Sequence, residues 1–312
     1  MGIEITGWGK CTPPSILTNK DLESILDTND EWIISRTGVK ERRIAHTSLS
    51  DMGTIAAQHA LASANKDPEE IDAVIMATCT PEFIIPSTAS RIQKNIGNKK
   101  AAAFDLNSAC TGFVYGLSTA YALITSGFMK NILLVGGEKV SFFLDWTERD
   151  TAILFGDGAG AVVVSKDNNT GIKHAKLCSD GSYLSSLHVN NNGINETGTI
   201  EMAGNEVYKI AVNRLSDLAE KTLKDCNMTS VDLAWMVPHQ ANIRIISAVA
   251  KRINLPMSKV ILTIEKHGNT SAASIPLALD VAVRDGRIKK GDNLLFEGIG
   301  GGFSWGSVLV EY

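Results

Sequence analysis

The strongest constraint on how this chain folds is that its pattern is written twice. Ile71-Asp72-Ala73-Val74-Ile75-Met76 returns roughly 160 residues later as Val231-Asp232-Leu233-Ala234-Trp235-Met236. Two further matches fall at nearly the same offset. The strand–helix junction around Cys110 is echoed by Val260–Gly268 and the helical pattern Ser271–Val283. Leu133-Leu134-Val135-Gly136-Gly137-Glu138 is echoed by Leu294-Leu295-Phe296-Glu297-Gly298. Two copies of one strand–helix unit, with no linker-like segment between them, predict halves that share an extensive interface about a pseudo-twofold axis.

Within the first copy, Ile71–Cys79, Ala101–Leu106 and Asn131–Gly136 are continuous apolar runs, the mark of strands buried on both faces. Ser87–Gly97 and Thr111–Gly127 read as the helices between them, and Ile3 and Ile5 alternate with polar neighbours as in a first strand. This order predicts an α/β fold with parallel strands and helical crossovers. In the second copy a strand is expected at Val260–Lys266. The polar, turn-rich Ser165-Lys166-Asp167-Asn168-Asn169-Thr170-Gly171 marks the boundary, giving halves 1–167 and 168–312. Asp180–Thr199, rich in Gly, Asn and Ser, reads as a loop outside the repeat.

Several function classes drop out. A net charge of −4 argues against a protein-wide nucleic-acid surface. The five cysteines are scattered without a CxxC pair, so neither a zinc cluster nor a disulfide framework is expected, and a reducing cytosol fits best. No basic-then-apolar leader opens the chain. Met1–Thr6 fits a loose myristoylation pattern, which the strand alternation of Ile3 and Ile5 outweighs. No apolar run approaches the ~20 residues of a membrane span. Phe155-Gly156-Asp157-Gly158-Ala159-Gly160 and Ile299-Gly300-Gly301-Gly302-Phe303 each lead into a strand-like segment, so neither fits a dinucleotide-binding loop; close packing or an oxyanion-binding turn suits them better.

Three polar residues stand where chemistry is expected in parallel sheets, at the carboxyl ends of strands. Cys110 follows an apolar strand and opens a long helix, whose free N–H groups and dipole favour a thiolate. Cys79 also ends a strand and is its rival. His239 ends the second-half strand in Val237-Pro238-His239-Gln240-Ala241-Asn242, where it is either a site residue or a helix cap. Asn269 follows Gly268, which permits an unusual backbone angle, and on its own would be read as a cap. In the repeat, Asn269 lies opposite Cys110 and His239 opposite Cys79, so a pseudo-twofold axis brings them together. His267 is a competing histidine without a matching partner.

These residues, together with Thr28-Asn29-Asp30-Glu31-Trp32 at the head of TNDEWIISRTGVKERR, Phe155–Ala159, His267-Gly268-Asn269-Thr270-Ser271-Ala272-Ala273-Ser274 and Gly300-Gly301-Gly302-Phe303-Ser304-Trp305-Gly306, give a chain that resembles β-ketoacyl-acyl-carrier-protein synthase III of the thiolase superfamily, essentially end to end. The resemblance implies a duplicated thiolase-like fold, layered α/β/α/β/α with two pseudo-twofold-related mixed sheets, and a Cys-His-Asn trio at Cys110, His239 and Asn269. It implies cofactor-free and metal-free chemistry. Cys110 is acylated by an acyl-CoA, and malonyl-acyl carrier protein then decarboxylates and attacks, with His239 and Asn269 donating to its thioester oxygen and the N–H groups of Cys110 and Gly301 forming the oxyanion hole.

The resemblance also places CoA against Thr28, Trp32, Arg36, Arg149, Gly204, Asn205, Ala241 and Asn242. It places the acidic carrier protein on Lys209, Arg244, Lys251 and Arg252, and implies a homodimer. Trp32 and Arg36, four residues apart, share a helical face. One departure stands out: Ile85 occupies a position where many acetyl-primed relatives carry Phe, a gate reaching the partner's acyl pocket. A smaller gate suits a longer or branched primer and a specialised pathway. Two other readings compete. A cysteine acyl-CoA thioesterase has the same Cys…His…Asn order, although papain-like surroundings are missing; a non-catalytic carrier-binding scaffold would have no use for the trio.

Overall fold

The computed structural model describes residues 2–167, 171–191 and 197–312. The expected boundary after residue 167 therefore lies against a stretch, 168–170, outside the described residues. The first sheet has the order Gly2–Cys11, Asp157–Asp167, Asn131–Lys139, Ala73–Ala77, Ala102–Leu106. Its last three strands run parallel, and Asp157–Asp167 is antiparallel to both of its neighbours. The second sheet has the order Trp235–Pro238, Asn293–Gly300, Ser304–Glu311, Gly171–Ser179, with one parallel and two antiparallel ladders. It is the first sheet again with one strand fewer. Register repeats too: Met76 pairs with Val135, and Met236 with Leu295.

The apolar runs are continuous because each strand is covered on both sides. Ala73 and Ile75 face a central layer built on the helices Gly112–Thr125 and Ser274–Arg284, where Leu294, Phe296, Val308 and Val310 of the second sheet also pack. Val74 and Met76 face the outer helices Leu49–Ala64 and Thr88–Asn95. Leu295 and Leu309 face Gly204–Asp225 and Ile243–Arg252 in the same way. Five layers result, α/β/α/β/α.

Two expectations are corrected. Val260–Lys266 is not a strand: Val260 makes a single parallel bridge to Met236, and a short helix occupies Ile264–His267. The Gln240 side chain replaces the missing ladder. Its Nε2 donates to Pro238 O (2.8 Å) and Ile261 O (3.1 Å), and its Oε1 accepts from Thr263 N (2.9 Å) and Ile264 N (3.2 Å). The stretch 180–199 is not simply a loop either. A 3-10 segment, Gly181–Ser186, leads into an antiparallel pair, Leu187–Asn191 with Thr197–Met202, whose Ile200 and Met202 pack on Val140 and Phe155; residues 192–196 lie outside the described residues.

Candidate active site

One local device, used twice, builds the centre of the molecule. After the strand Ala102–Leu106, Asn107 Oδ1 accepts from Ala109 N (3.1 Å), Ala109 takes φ +46°, and a 3-10 turn, Ala109–Thr111, runs into Gly112–Thr125. In the second half, Asn269 Oδ1 accepts from Ser271 N (2.9 Å), Ser271 takes φ +50°, and a 3-10 turn, Ser271–Ala273, runs into Ser274–Arg284. Matched this way, Asn269 stands opposite Asn107, and Cys110 opposite Ala272, which corrects the sequence alignment of Asn269 with Cys110. A non-glycine residue held left-handed costs of order 1–3 kcal/mol, strain of the kind found where a side chain must be aimed.

The two turns face each other, and glycines let the second sheet's strand reach them. A Cβ on Gly300 would lie 2.7 Å from Cys110 N; one on Gly298 would sit 3.4 Å from His239 Cβ and 3.8 Å from Cys110 O. His239 follows the strand Trp235–Pro238, with its N–H on Glu297 O (2.8 Å). Its Nδ1 lies 2.7 Å from Ser274 Oγ, which also accepts from Gln240 N (3.2 Å). The serine proton is thereby directed to Nδ1, leaving Nε2 as the N–H end. Burial lowers the imidazole to about 4, so it is neutral at pH 7. Asn269 is held by its N–H on Leu154 O (2.8 Å) and its O on Gly156 N (3.0 Å), after Gly268 at φ +64° as expected. With Oδ1 committed to Ser271, the Nδ2 group is its free donor.

Cys110 is half-buried and lines two cavities. Against the thiolate expectation, burial pushes its thiol up to about 11, with the Glu138 carboxylate acting in the same direction and the Ser271 hydroxyl against it. The helix proper begins only at Gly112, and desolvation outweighs its dipole. Cys79 is raised further by burial and by Glu138, and its S–H is directed at Glu138 Oε1 (3.4 Å). Cys79 lines only the larger cavity. His267 lines neither; burial, Lys10 and Arg43 depress its imidazole to about 4.

The smaller cavity, about 360 Å³, runs from Trp32 and Arg36 at the surface to Cys110, His239 and Asn269, passing Gly204, Asn205, Ala241, Asn242 and Arg244. The larger, about 990 Å³, spreads from Cys110 and Gly301 among apolar side chains including Ile84, Phe143, Leu187 and Ile200. Ile85 does not line it and is 84% exposed. At the channel mouth the Trp32 ring is approached by Arg149 at 4.5 Å and Arg36 at 5.7 Å. Thr28 and Arg149 do not line the channel.

The four basic residues do not form one patch. Arg244 lies over Tyr208 (5.4 Å) at the channel, and Lys209 is exposed beside that tyrosine. Lys251 and Arg252 lie at the far end of Ile243–Arg252, roughly 10 Å along the axis at 1.5 Å per residue. Arg252 is already bound to Asn213 (2.6 Å) and Asp217 (3.7 Å). Sequence reasoning missed Ser271, Ser274 and Glu138. The one available signal was a charged residue, Glu138, ending a buried apolar run.

A duplicated α/β/α/β/α fold with a thiol and two hydrogen-bond donors at the junction of its halves defines a thiolase-type condensing enzyme. Comparison with known proteins agrees. Residues 104–181 match the family model for 3-oxoacyl-[acyl-carrier-protein] synthase III, and residues 223–312 match the model for its C-terminal part. The chain is 57% identical to a β-ketoacyl-[acyl-carrier-protein] synthase III of Vesicomyosocius okutanii, covering 99% of this chain and 98% of that one. Among solved structures, the 3-oxoacyl-[acyl-carrier-protein] synthase III of Aquifex aeolicus superposes with a TM-score of 0.97 at 45% identity, covering 100% of both chains. The corresponding enzyme of Pseudomonas aeruginosa gives 0.96 at 40% identity, covering 100% of this chain and 98% of that one. The chain belongs to the β-ketoacyl-[acyl-carrier-protein] synthase III family, acyltransferases of the thiolase superfamily.

Proposed function

We propose that the chain condenses an acyl-CoA primer with malonyl-acyl carrier protein, as the first step of fatty-acid synthesis. The observation that carries this reading is the convergence of Cys110, His239 and Asn269 on one narrow channel open at Trp32. The pantetheine arm of CoA occupies that channel, with the adenine end at Trp32, Arg36 and Arg149, and the acyl group passes Cys110 into the larger cavity. The sulfur attacks the thioester carbonyl and CoA leaves. Malonyl-acyl carrier protein then enters by the same channel. As carbon dioxide departs, His239 Nε2–H and Asn269 Nδ2 donate to the thioester oxygen where charge collects. The resulting carbanion attacks the acyl-Cys110 carbonyl, whose oxygen is met by the N–H groups of Cys110 and Gly301. A junction closed between two halves keeps water from quenching the carbanion.

The carrier protein approaches the side of Arg244 and Lys209, where positive charge steers an acidic partner. The working unit is a homodimer of a cytosolic protein, each chain comprising the halves 1–167 and 168–312. The strand Ala102–Leu106 supports the dimer: it ends the first sheet and pairs on one side only among the described residues, an edge a second copy is able to extend. The Ile85 segment, exposed and apolar, then faces the partner, and its small side chain together with a cavity of about 990 Å³ favours primers longer than acetyl.

The test is intact-protein mass spectrometry after exposure to a ladder of acyl-CoAs. The expected result is one acyl adduct on Cys110, absent from Cys110→Ser, with medium-length chains accepted by the native protein and an Ile85→Phe profile shifted to shorter ones. Labelling that survives Cys110→Ser rejects the nucleophile; an unchanged profile in Ile85→Phe rejects the gate.

A further inference from the structure

Glu138 is the one carboxylate buried against the nucleophile, and the condensation chemistry gives it no task. It is fully buried at the end of the strand Asn131–Lys139. Its oxygens accept from Thr78 Oγ1 (2.9 Å), Thr80 Oγ1 (2.7 Å) and N (3.1 Å), Cys79 N (3.1 Å) and Cys79 Sγ (3.4 Å). The remaining donor comes from the other half of the molecule: Ser271 Oγ, 3.1 Å from Oε1. That same hydroxyl hydrogen-bonds the Cys110 sulfur. Ser271 is buried and held left-handed at φ +50°, its N–H tied to Asn269. A chain of contacts, Cys110 Sγ to Ser271 Oγ to Glu138 Oε1, thus crosses the interface between the halves.

We propose that Glu138, acting through the Ser271 hydroxyl, accepts the Cys110 thiol proton during acylation and returns it during condensation; this rests on Cys110 being the acylated thiol. A thiol held near 11 needs a proton acceptor, and the nearest imidazole is unsuited. His239 Nδ1 is occupied by Ser274, and its burial makes it weakly basic. A carboxylate beside a thiolate is unfavourable in a dry site, but moving the proton between them keeps one negative charge there throughout. The other titratable groups facing Glu138 are Cys79 and Cys110 themselves; the neighbouring Lys139 turns its ammonium away to Thr47 O (2.9 Å). In acylation the sulfur–carbon bond to Cys110 forms and the bond to the CoA sulfur breaks. The thiol proton passes to Ser271 as the serine proton passes to Glu138, and CoA leaves as a thiolate protonated by solvent. In condensation the bond from Cys110 to the acyl carbon breaks and the proton retraces the path. One solvent proton is consumed per turnover, as decarboxylation of a malonyl carboxylate requires.

The experiment measures single-turnover acylation of Cys110 by quenched intact-mass analysis between pH 6 and 10, with acetyl-, butyryl- and octanoyl-CoA as probes. Glu138→Gln and Ser271→Ala are compared with the native chain, and malonyl-carrier decarboxylation is followed in parallel as a readout without the thiol proton. The expected result is acylation slowed about 100-fold or more at pH 7 in both variants, the order of a general-base contribution. The rate in both variants rises about tenfold per pH unit as the thiol ionises unaided, a slope the native chain does not show. Ser271→Ala keeps decarboxylation. Native rates and slopes in both variants overturn the relay, as does equal loss of both half-reactions without a change of slope. A native chain that takes up none of the three probes overturns the underlying reading of the site instead.

Discussion

At position 297 a glutamate stands in the middle of a buried strand, 1% exposed, with neither carboxyl oxygen bonded among the described residues. Burial pushes it up to about 8, from an ordinary value of 4.5. The unfolded chain releases this proton near 4.5, whereas the folded chain keeps it until about 8. Stability therefore falls with rising pH across that window, by up to about 1.4 kcal/mol per pH unit from this group, and levels off above it. Glu297→Gln removes the dependence. Thermal melts from pH 5 to 9 are expected to show a variant that gains on the native chain as pH rises; parallel curves contradict the protonation assigned to it. The neighbouring roles differ in how far the sequence disclosed them. Cys110, His239 and Asn269 were legible because a polar residue that abruptly ends an apolar strand has few structural uses. Ser271, Ser274 and Glu138 were not, because each acquires its meaning from a contact across the halves. The protonation of Cys110 was misread for a related reason: the helix dipole is visible in sequence, and the depth of the sulfur is not.

The missing fifth strand of the second sheet shows the same limit one level up. Apolar residues at Val260, Ile261, Leu262 and Ile264 carry strand character, and in the first half the equivalent segment does pair. Here one glutamine side chain makes the hydrogen bonds a ladder would have made, and composition does not record that exchange. Gln240→Ala is expected to strand two buried carbonyls and two buried N–H groups. At about 1–3 kcal/mol for each unsatisfied group, the loss is at least about 4 kcal/mol. Chemical denaturation reads it as a lowered midpoint at unchanged slope; an unmoved midpoint means the segment is held by something else. The pairing of Leu187–Asn191 with Thr197–Met202 escaped notice because its Gly- and Asn-rich sequence has turn chemistry without a clear alternation. By contrast, the first strand, the two central helices and the junction at Asn293–Gly300 fell where periodicity put them.

On the scale of the whole molecule, duplication is what makes the site. Neither half holds both the thiol and the donors: the first supplies Cys110 and Glu138, the second His239, Asn269 and Ser271, and the glycine-bearing strand Asn293–Gly300 brings them within reach. That division was visible in the internal repeat before any contact was known, although the register that pairs Asn269 with Asn107 emerged only from the matching turns. It separates the chemistry as well, acylation belonging to the first half's thiol and decarboxylation to the second half's donors. The direct measurement follows both half-reactions in Cys110→Ser, His239→Ala and Asn269→Ala, by acyl adduct mass and by carbon dioxide release from malonyl-acyl carrier protein. The expected result is no adduct in Cys110→Ser, and retained adduct with carbon dioxide release reduced about 100-fold or more in the other two. Equal loss of both half-reactions in all three variants, or an adduct on Cys79, would contradict it.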